Sequence, residues 1–572
     1  MTIKTDNEKR IVFLTGALLG ALVFLLIFGF QVLDFTYTDW LLPRDGGDLS
    51  QHYLGWVEYR ASQWNFPIGL MDNVLYPEKV SVVYTDSIPI LAFFFKLISG
   101  ILPENFQYLG IFGFLCYALQ GGFAAILVYH FTKQKGPSII ASLLFSCSLL
   151  LLWRMFEHTA LSAHFLILAA LYLWLCRENQ ITTRRSVVLW TLLSVLAMLI
   201  QGYFVAMVWG IMLCDILGQM LNRQFRRGVI TIVVAGAASM LCGYLFGLFY
   251  GKMPVSGLYY GVYSFNLNGL INSQGYSTIF PALPLWDHFQ YEGLAYLGAG
   301  ALLLAVSLLV AAAIDLIRKH WNKETAQPES SENHRIRKMI PYIVFVVGFL
   351  AASVSNKISW GSDVLEIPLN DYVYLALAVF RCNGRLIWPV YYGIFLLLSV
   401  QMIRLFRNRP AVAGLVLLLA LGLNLYDFSG LIKEKHDRFN RSERMHYQTP
   451  FTDPAWEEIA GKYDHLMYFP QVAVIYSNAI GYDFQLYALE HGLTLNCIYF
   501  ARDISTKVDA QTLAYMDAMD QKTSKDTAFI FIHRLPEKDY GLHYYRLNDI
   551  LVGTPLPLEG AEEIDFQNLD VS

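Results

Sequence analysis

The chain is short of charge. Only 15% of its 572 residues are Asp, Glu, Lys or Arg, against 55% hydrophobic residues, and the mean hydropathy is +0.41. A soluble chain of this length needs more charge than that to cover its surface, so the composition places the protein among polytopic membrane proteins. Close cysteine pairs are lacking too. The seven cysteines are scattered, with Cys116, Cys147, Cys176, Cys214 and Cys242 inside or at the ends of apolar runs, which argues against both a disulfide framework and a zinc site. A large excess of either charge sign is absent as well, with 42 Lys and Arg against 46 Asp and Glu. A net charge of −4 gives no footing for a polyanionic partner, and no nucleic-acid motif is present. Finally, residues 11–33 form an apolar run with no small-residue cleavage site behind it, so it reads as an anchor and not as a removed signal peptide.

Topology follows from the basic residues, because loops rich in Lys and Arg stay in the cytoplasm. Clusters recur at Lys4/Lys9/Arg10, Lys133/Lys135, Arg184/Arg185, Arg223/Arg226/Arg227, Arg318 to Lys338 and Arg404/Arg407/Arg409, each two apolar spans after the last. The apolar runs predict about eleven spans, at 11–33, 106–131, 137–153, 157–176, 186–201, 203–221, 229–250, 294–317, 340–355, 386–403 and 411–427, with the N-terminus inside. Two shorter apolar stretches, 88–102 and 372–380, predict interfacial or re-entrant helices. This parity puts loops 34–86, 251–293 and 356–385 outside, together with the tail. The predicted organisation is a membrane module over 1–427 and a small extracytoplasmic α/β domain over 428–572, whose β-like runs include 465–469 and 529–533.

The densest polar cluster near a membrane boundary in the first half is Arg44-Asp45-Gly46-Gly47-Asp48-Leu49-Ser50-Gln51-His52. Its glycines allow a tight turn that can aim both carboxylates at one cavity. There a carboxylate serves as a general base toward a hydroxyl, or as a ligand to a hard divalent cation such as Mg²⁺ or Mn²⁺. The competing reading is an exposed Asp-Gly turn with a helix N-cap. The loop continues through Trp56, Tyr59, Trp64, Phe66, Tyr76 and Tyr84, mixed with Asn65, Asp72, Asn73 and Asp86. Aromatic faces beside hydrogen-bonding groups suit a sugar ring, and they equally suit an aromatic belt at lipid headgroups.

Other polar groups on the same side are Arg154, Glu157, His158, Lys252, Glu292, Arg381 and Arg385. Arg381, Arg385 and Lys252 are the phosphate candidates, since Arg grips phosphate bidentately and Lys acts as a point charge; snorkelling to headgroups is the alternative. His158 and His164 are six apart, a spacing that does not put them on one helical face for a shared metal, and His164 reads as an internal hydrogen-bonder.

A short basic N-terminus, one span and then a large outer loop opening on acidic residues resembles the GT-C superfamily of integral-membrane glycosyltransferases. The strings Gln51-His52-Tyr53-Leu54-Gly55-Trp56, Tyr84-Thr85-Asp86-Ser87-Ile88-Pro89, Tyr291-Glu292-Gly293 and Gly384-Arg385-Leu386-Ile387-Trp388-Pro389 are similar to a little-characterised bacterial branch of it. The resemblance implies a GT-C-like fold, a polyprenyl-phosphate-linked sugar donor and a glycan or lipid acceptor at the outer face of the bacterial inner membrane. It implies a catalytic Asp in the first outer loop, Asp48 or Asp45, with Asp48 preferred. His52, Arg381, Arg385, Lys252, His158, Glu292 and Tyr84 are the substrate-contact candidates, and Asp45 and Asp48 are the ligands of any metal. The alternatives are a polysaccharide polymerase or ligase, a lipid-linked glycan transporter, and a non-catalytic scaffold that binds cell-wall glycans.

Overall fold

A helix needs about twenty residues to cross about 30 Å of hydrocarbon. The computed structural model describes the chain except for residues 1, 43–46, 177–181, 252–259, 322–331, 442, 471–477, 501–504, 520–524, 533 and 570–572. Among the described residues, nine helices are long and apolar enough to cross a membrane: Asn7–Phe28, Leu109–Thr132, Thr183–Ile200, Gly202–Leu221, Phe225–Leu245, Ala299–Arg318, Arg337–Val354, Asn383–Leu405 and Pro410–Asp427. The chain clusters into two compact units, one of Met1–Phe35, Tyr108–Met240 and Val255–Ser442, the other of Thr36–Gln107, Leu241–Pro254 and Glu443–Ser572.

The helical unit holds α1 (Thr2–Phe28), and the first loop supplies α2 (Asp48–Ala61) and α3 (Pro89–Leu97) to the other unit. The helical unit continues with α4 (Leu109–Thr132), α5 (Lys135–Ser146), α6 (Leu149–Arg154), α7 (Phe165–Leu175), α8 (Thr183–Ile200) and α9 (Gly202–Leu221). Then come α10 (Phe225–Leu245), α11 (Ala299–Trp321), α12 (Glu332–Val354), α13 (Asp371–Leu377), α14 (Trp388–Leu405), α15 (Pro410–Asp427) and α16 (Ser429–Phe439). Two of the eleven expected spans are interrupted. The run 137–153 breaks between α5 and α6, where Ser148 turns extended at ψ 142°. The run 157–176 opens as a 3₁₀ turn, Thr159–Ser162, and leaves α7 only 11 residues. Neither piece reaches the length of a span. The freed backbone between them is buried in protein, as non-helical backbone at membrane depth must be. Both shorter apolar stretches do form short helices, α3 and α13.

Small residues let α1 and α4 touch backbone to backbone, the usual way membrane helices associate. A methyl group at Gly20 would sit 2.1 Å from the Tyr117 carbonyl oxygen, and one at Gly16 would sit 2.6 Å from that of Gly121. Along the same helices Phe24, Phe28, Tyr117, Phe156 and Phe439 form an aromatic cluster of edge-to-face and tilted ring pairs. α11 is capped by side chains of α15. Asp427 Oδ2 accepts from the Ala299 amide at 2.9 Å, and Asn424 Oδ1 from that of Gly300 at 2.7 Å, satisfying N–H groups that a helix start leaves open.

The second unit is built on a six-stranded mixed sheet. After β1 (Leu70–Met71) and β2 (Val80–Ser81) of the first loop, and β3 (Lys357–Trp360) and β4 (Asp363–Glu366) of a hairpin in the helical unit, come the sheet strands. These are β5 (His465–Phe469), β6 (Thr494–Leu495), β7 (Thr527–Phe531), β8 (His543–Leu547), β9 (Ile550–Thr554) and β10 (Glu563–Ile564), in the order β10-β8-β9-β7-β5-β6. β5 pairs in parallel with β6 and β7, and the remainder is antiparallel. β7 and β9 are buried along their whole length, as strands covered on both faces are. Helices Asn478–His491 and Ser505–Met519 follow β5 and β6, which gives the expected small α/β domain.

The first loop closes the edge of this sheet. Tyr76 N donates to Leu495 O at 2.9 Å and Leu495 N donates to Asn73 O at 2.8 Å, so residues 73–76 pair with the short edge strand β6, and the Tyr76 ring stacks 3.7 Å from His465. The end of α10 is held in the same unit. Ile68 N reaches Leu245 O at 2.8 Å, and Ser81 Oγ reaches Phe246 O at 2.6 Å.

Gly20→Ala is expected to lower the melting temperature of the purified chain in detergent, with a cost of about 1–3 kcal/mol for forcing the two backbones apart. Gly422→Ala, where an added methyl meets nothing within 4 Å, is the control and should be neutral or stabilising.

Candidate functional site

In the second unit the polar side chains gather on α2. Gly47, at φ +112°, makes the turn that only glycine adopts readily, and Asp48 is the first residue of the helix that follows. Asp48 is half-buried, and a helix start favours a negative charge there. Two contacts fix this end: Tyr482 Oη donates to Gly47 O at 2.9 Å, and Gln51 Nε2 donates to Tyr499 O at 3.1 Å. Asp45 lies outside the described residues.

His52 is one turn on from Asp48 and Gly55 nearly two, so all three share a face of the helix. That face lies on the turn 85–87. A methyl at Gly55 would be 2.4 Å from the Thr85 side chain and 2.5 Å from Ser87 Oγ, so only glycine admits this approach. The contact brings the fully buried His52 to Asp86, with potential ligand atoms of the two within 4.8 Å of each other. Burial pushes the His52 imidazole down to about 3, which keeps it neutral. Asp86 is held at φ 54° in the left-handed region. A neutral imidazole and a carboxylate this close can contribute to a divalent cation site, and the nitrogen donor suits Mn²⁺ better than Mg²⁺.

The loop's aromatics are spent on structure. Trp56 Nε1 donates to Phe106 O at 2.9 Å, Tyr59 Oη to Ile68 O at 2.6 Å and Tyr84 Oη to Leu248 O at 2.7 Å. Tyr84 therefore ties the loop to the segment after α10. Trp64 and Phe66 remain exposed.

In the helical unit the structure assembles residues from three distant segments. Arg385 forms a two-pronged pair with Glu292, Nε to Oε2 and Nη2 to Oε1 both at 2.7 Å, and Arg154 Nη2 bonds the same Oε2. All three side chains are no more than 7% exposed. Burial raises the Glu292 carboxyl, but the two guanidiniums more than offset it and hold it at about 2. One carboxylate between two guanidiniums leaves a net positive charge. Arg154 also lies 3.8 Å from the Trp153 ring centroid and Arg385 4.6 Å from that of Tyr203. The Nε of Arg154 is buried without an acceptor among the described residues.

The other candidates fall around this cluster or elsewhere. Arg381 sits half-buried over the Tyr263 ring at 5.7 Å. His158, just past α6, donates its amide to Arg154 O at 3.0 Å. Glu157 pairs with Lys435 at 2.5 Å and Arg438 at 3.0 Å. His164 Nδ1 lies 2.6 Å from Tyr392 Oη, the internal hydrogen bond expected of it. Lys252 lies outside the described residues. Sequence reasoning noted Arg154 and Glu292 without pairing them, and it noted Asp86 as one of several hydrogen-bonding groups for a sugar without placing it beside His52. The available signal was parity, since Arg154, Glu292 and Arg385 are isolated charges at the same expected membrane boundary.

The helices and the appended sheet define a polytopic helical membrane protein with an α/β tail domain. The chain belongs to the family described as Domain of unknown function (DUF6311), whose model matches residues 17–429, and the DUF6311 C-terminal domain matches residues 455–555. No curated protein matches the sequence. Among solved structures the chain is similar to the archaeal oligosaccharyltransferase AglB from Archaeoglobus fulgidus, determined in complex with an inhibitory peptide and a dolichol-phosphate. The identity is 11% and the TM-score 0.44, over 91% of this chain and 69% of that one.

Glu292→Gln leaves two buried guanidiniums without a counter-charge and is expected to cost about 3–5 kcal/mol, read as a fall in melting temperature in detergent. Glu537→Gln, at a carboxylate 59% exposed whose partner Arg534 is 48% exposed, should cost much less. Because the Glu292 carboxyl lies below its ordinary 4.5, its contribution is complete above about pH 4.5 and is lost as pH falls toward 2. The slope of melting temperature against pH over that window should be shallower in Glu292→Gln than in the wild type.

Proposed function

We propose that this protein is a GT-C-type membrane glycosyltransferase. It transfers a sugar from a polyprenyl-phosphate carrier to a glycan or lipid acceptor on the outer face of the bacterial inner membrane, with its N-terminus inside and its tail domain outside. The observation that carries the reading is Asp48, a half-buried carboxylate at the start of α2, whose helix face continues into the neutral His52, with Asp86 nearby.

Asp48 takes the proton of the acceptor hydroxyl as that oxygen attacks the anomeric carbon. The bond from that carbon to the phosphate oxygen breaks, and the carrier phosphate leaves with the electron pair. Phosphate is a competent leaving group, so no general acid is required, and in-line displacement inverts the anomeric centre. Cations that stabilise the charge of the leaving phosphate suffice, and the arginines are the candidates. Arg385 has both prongs on Glu292, which makes Arg154, with an unused Nε donor, the stronger phosphate ligand of the two. Arg381 is the second candidate, as its side chain is only half-buried. If a divalent cation is required, His52 and Asp86 are the residues to hold it, and the ion would supply positive charge against the phosphate.

The test is transfer of radiolabelled sugar from a panel of polyprenyl-phosphate donors by membranes containing the full chain. Asp48→Asn is expected to reduce transfer by about 10²–10⁴-fold at equal expression, the usual worth of a general base. Transfer that is unchanged in this variant removes Asp48 from the chemistry, and labelled carrier that crosses the membrane without transfer identifies a transporter.

A further inference from the structure

At the far end of α9 from Tyr203, the start of α8, the turn after α9 and the start of α10 line a cavity of about 530 Å³, formed by Thr183, Arg223, Gln224, Phe225, Arg226, Arg227 and Ile230. Residues 182–231 contain five arginines, the three in the cavity with Arg184 and Arg185, against one acidic residue, Asp215. Asp215 is buried and accepts from Trp190 Nε1 at 3.1 Å and from Gln219 Nε2 at 2.9 Å. Arg223 and Arg226 are exposed and make no ion pair among the described residues. The rule that keeps basic loops in the cytoplasm accounts for these charges, but it requires no cavity between them.

The walls identify the occupant. The basic floor is continued along α10 by side chains that face away from protein: Phe225 is 58% exposed, Val229 48% and Val233 59%. A phosphate can settle among the arginines while aliphatic chains run along Phe225, Val229 and Val233, and the start of α10 adds its partial positive charge. An anionic phospholipid has this shape, and basic pockets between membrane helices on the cytoplasmic side are where such headgroups bind. We propose that the cavity at the α9–α10 turn binds the headgroup of an anionic phospholipid from the inner leaflet. The proposal does not depend on the glycosyltransferase reading.

The full chain, purified and delipidated in neutral detergent, is titrated with phosphatidylglycerol, phosphatidylcholine or inorganic phosphate while its melting temperature is followed. A saturable rise is expected with phosphatidylglycerol alone. In Arg223→Gln/Arg226→Gln, which removes two charge-assisted contacts from exposed positions, the half-saturating concentration should rise about tenfold or more. Thr183→Trp, which fills the cavity and keeps every charge, should weaken binding similarly. An equal rise with phosphatidylcholine, an equal rise with inorganic phosphate, or an unchanged titration in either variant would overturn the proposal. The phosphate result would identify a free-anion site instead.

Discussion

The second unit depends on a single backbone exchange, in which Leu495 accepts from Tyr76 and donates to Asn73. β6 is only two residues long and lies at the sheet's edge, where unpaired N–H and C=O groups would otherwise face solvent. By closing that edge the first loop becomes part of the tail domain, although more than four hundred residues separate Tyr76 from Leu495 in the chain. Everything that α2 carries is then referred to the sheet. Its start is tethered at Gly47 and Gln51 by Tyr482 and Tyr499, and its middle is pressed at Gly55 onto the turn that bears Asp86. Asp48 and His52 are thus held by a folded domain and not by a free loop.

The helical unit obeys a different constraint. Its two interrupted helices free backbone groups and bring Arg154 inward, and a buried guanidinium is tolerated only with partners. Glu292 provides one, Arg385 reinforces it from a third segment, and the rings of Trp153 and Tyr203 flank the pair. The result is buried, fully paired at Glu292 and positive overall. The same unit reaches its α11 start by a neutral route, with Asn424 and Asp427 capping from α15.

Much of this architecture was legible in the sequence, because hydropathy and basic clusters report length and burial directly. The small α/β tail was legible from its β-like runs. The breaks at Ser148 and before His164 were not, since Leu149 to Leu152 are as apolar as any intact span and hydropathy does not register where a helix stops. Asp48 and His52 were legible as members of one polar string, but their place on one face of α2 was not, nor was the approach of Asp86 to His52, which depends on the space left by Gly55. Tyr84 and Arg385 were read as substrate groups from residue type alone. Both have hydrogen bonds within the protein, to Leu248 and to Glu292, that local sequence does not reveal. The attachment of the first loop to the tail was equally hidden, since strand pairing at a sheet edge leaves little trace in the residues that make it.

The glycosyltransferase reading therefore rests on a carboxylate whose position is set by the tail domain. The most direct measurement of that dependence is amide hydrogen exchange over residues 48–61 in the full chain and in Leu495→Pro, which removes the donor that bonds Asn73. The account predicts faster exchange along α2 in the variant while the amides of β7 stay protected. Unchanged protection of α2, with the edge bond lost, would contradict it and place the anchor of Asp48 elsewhere.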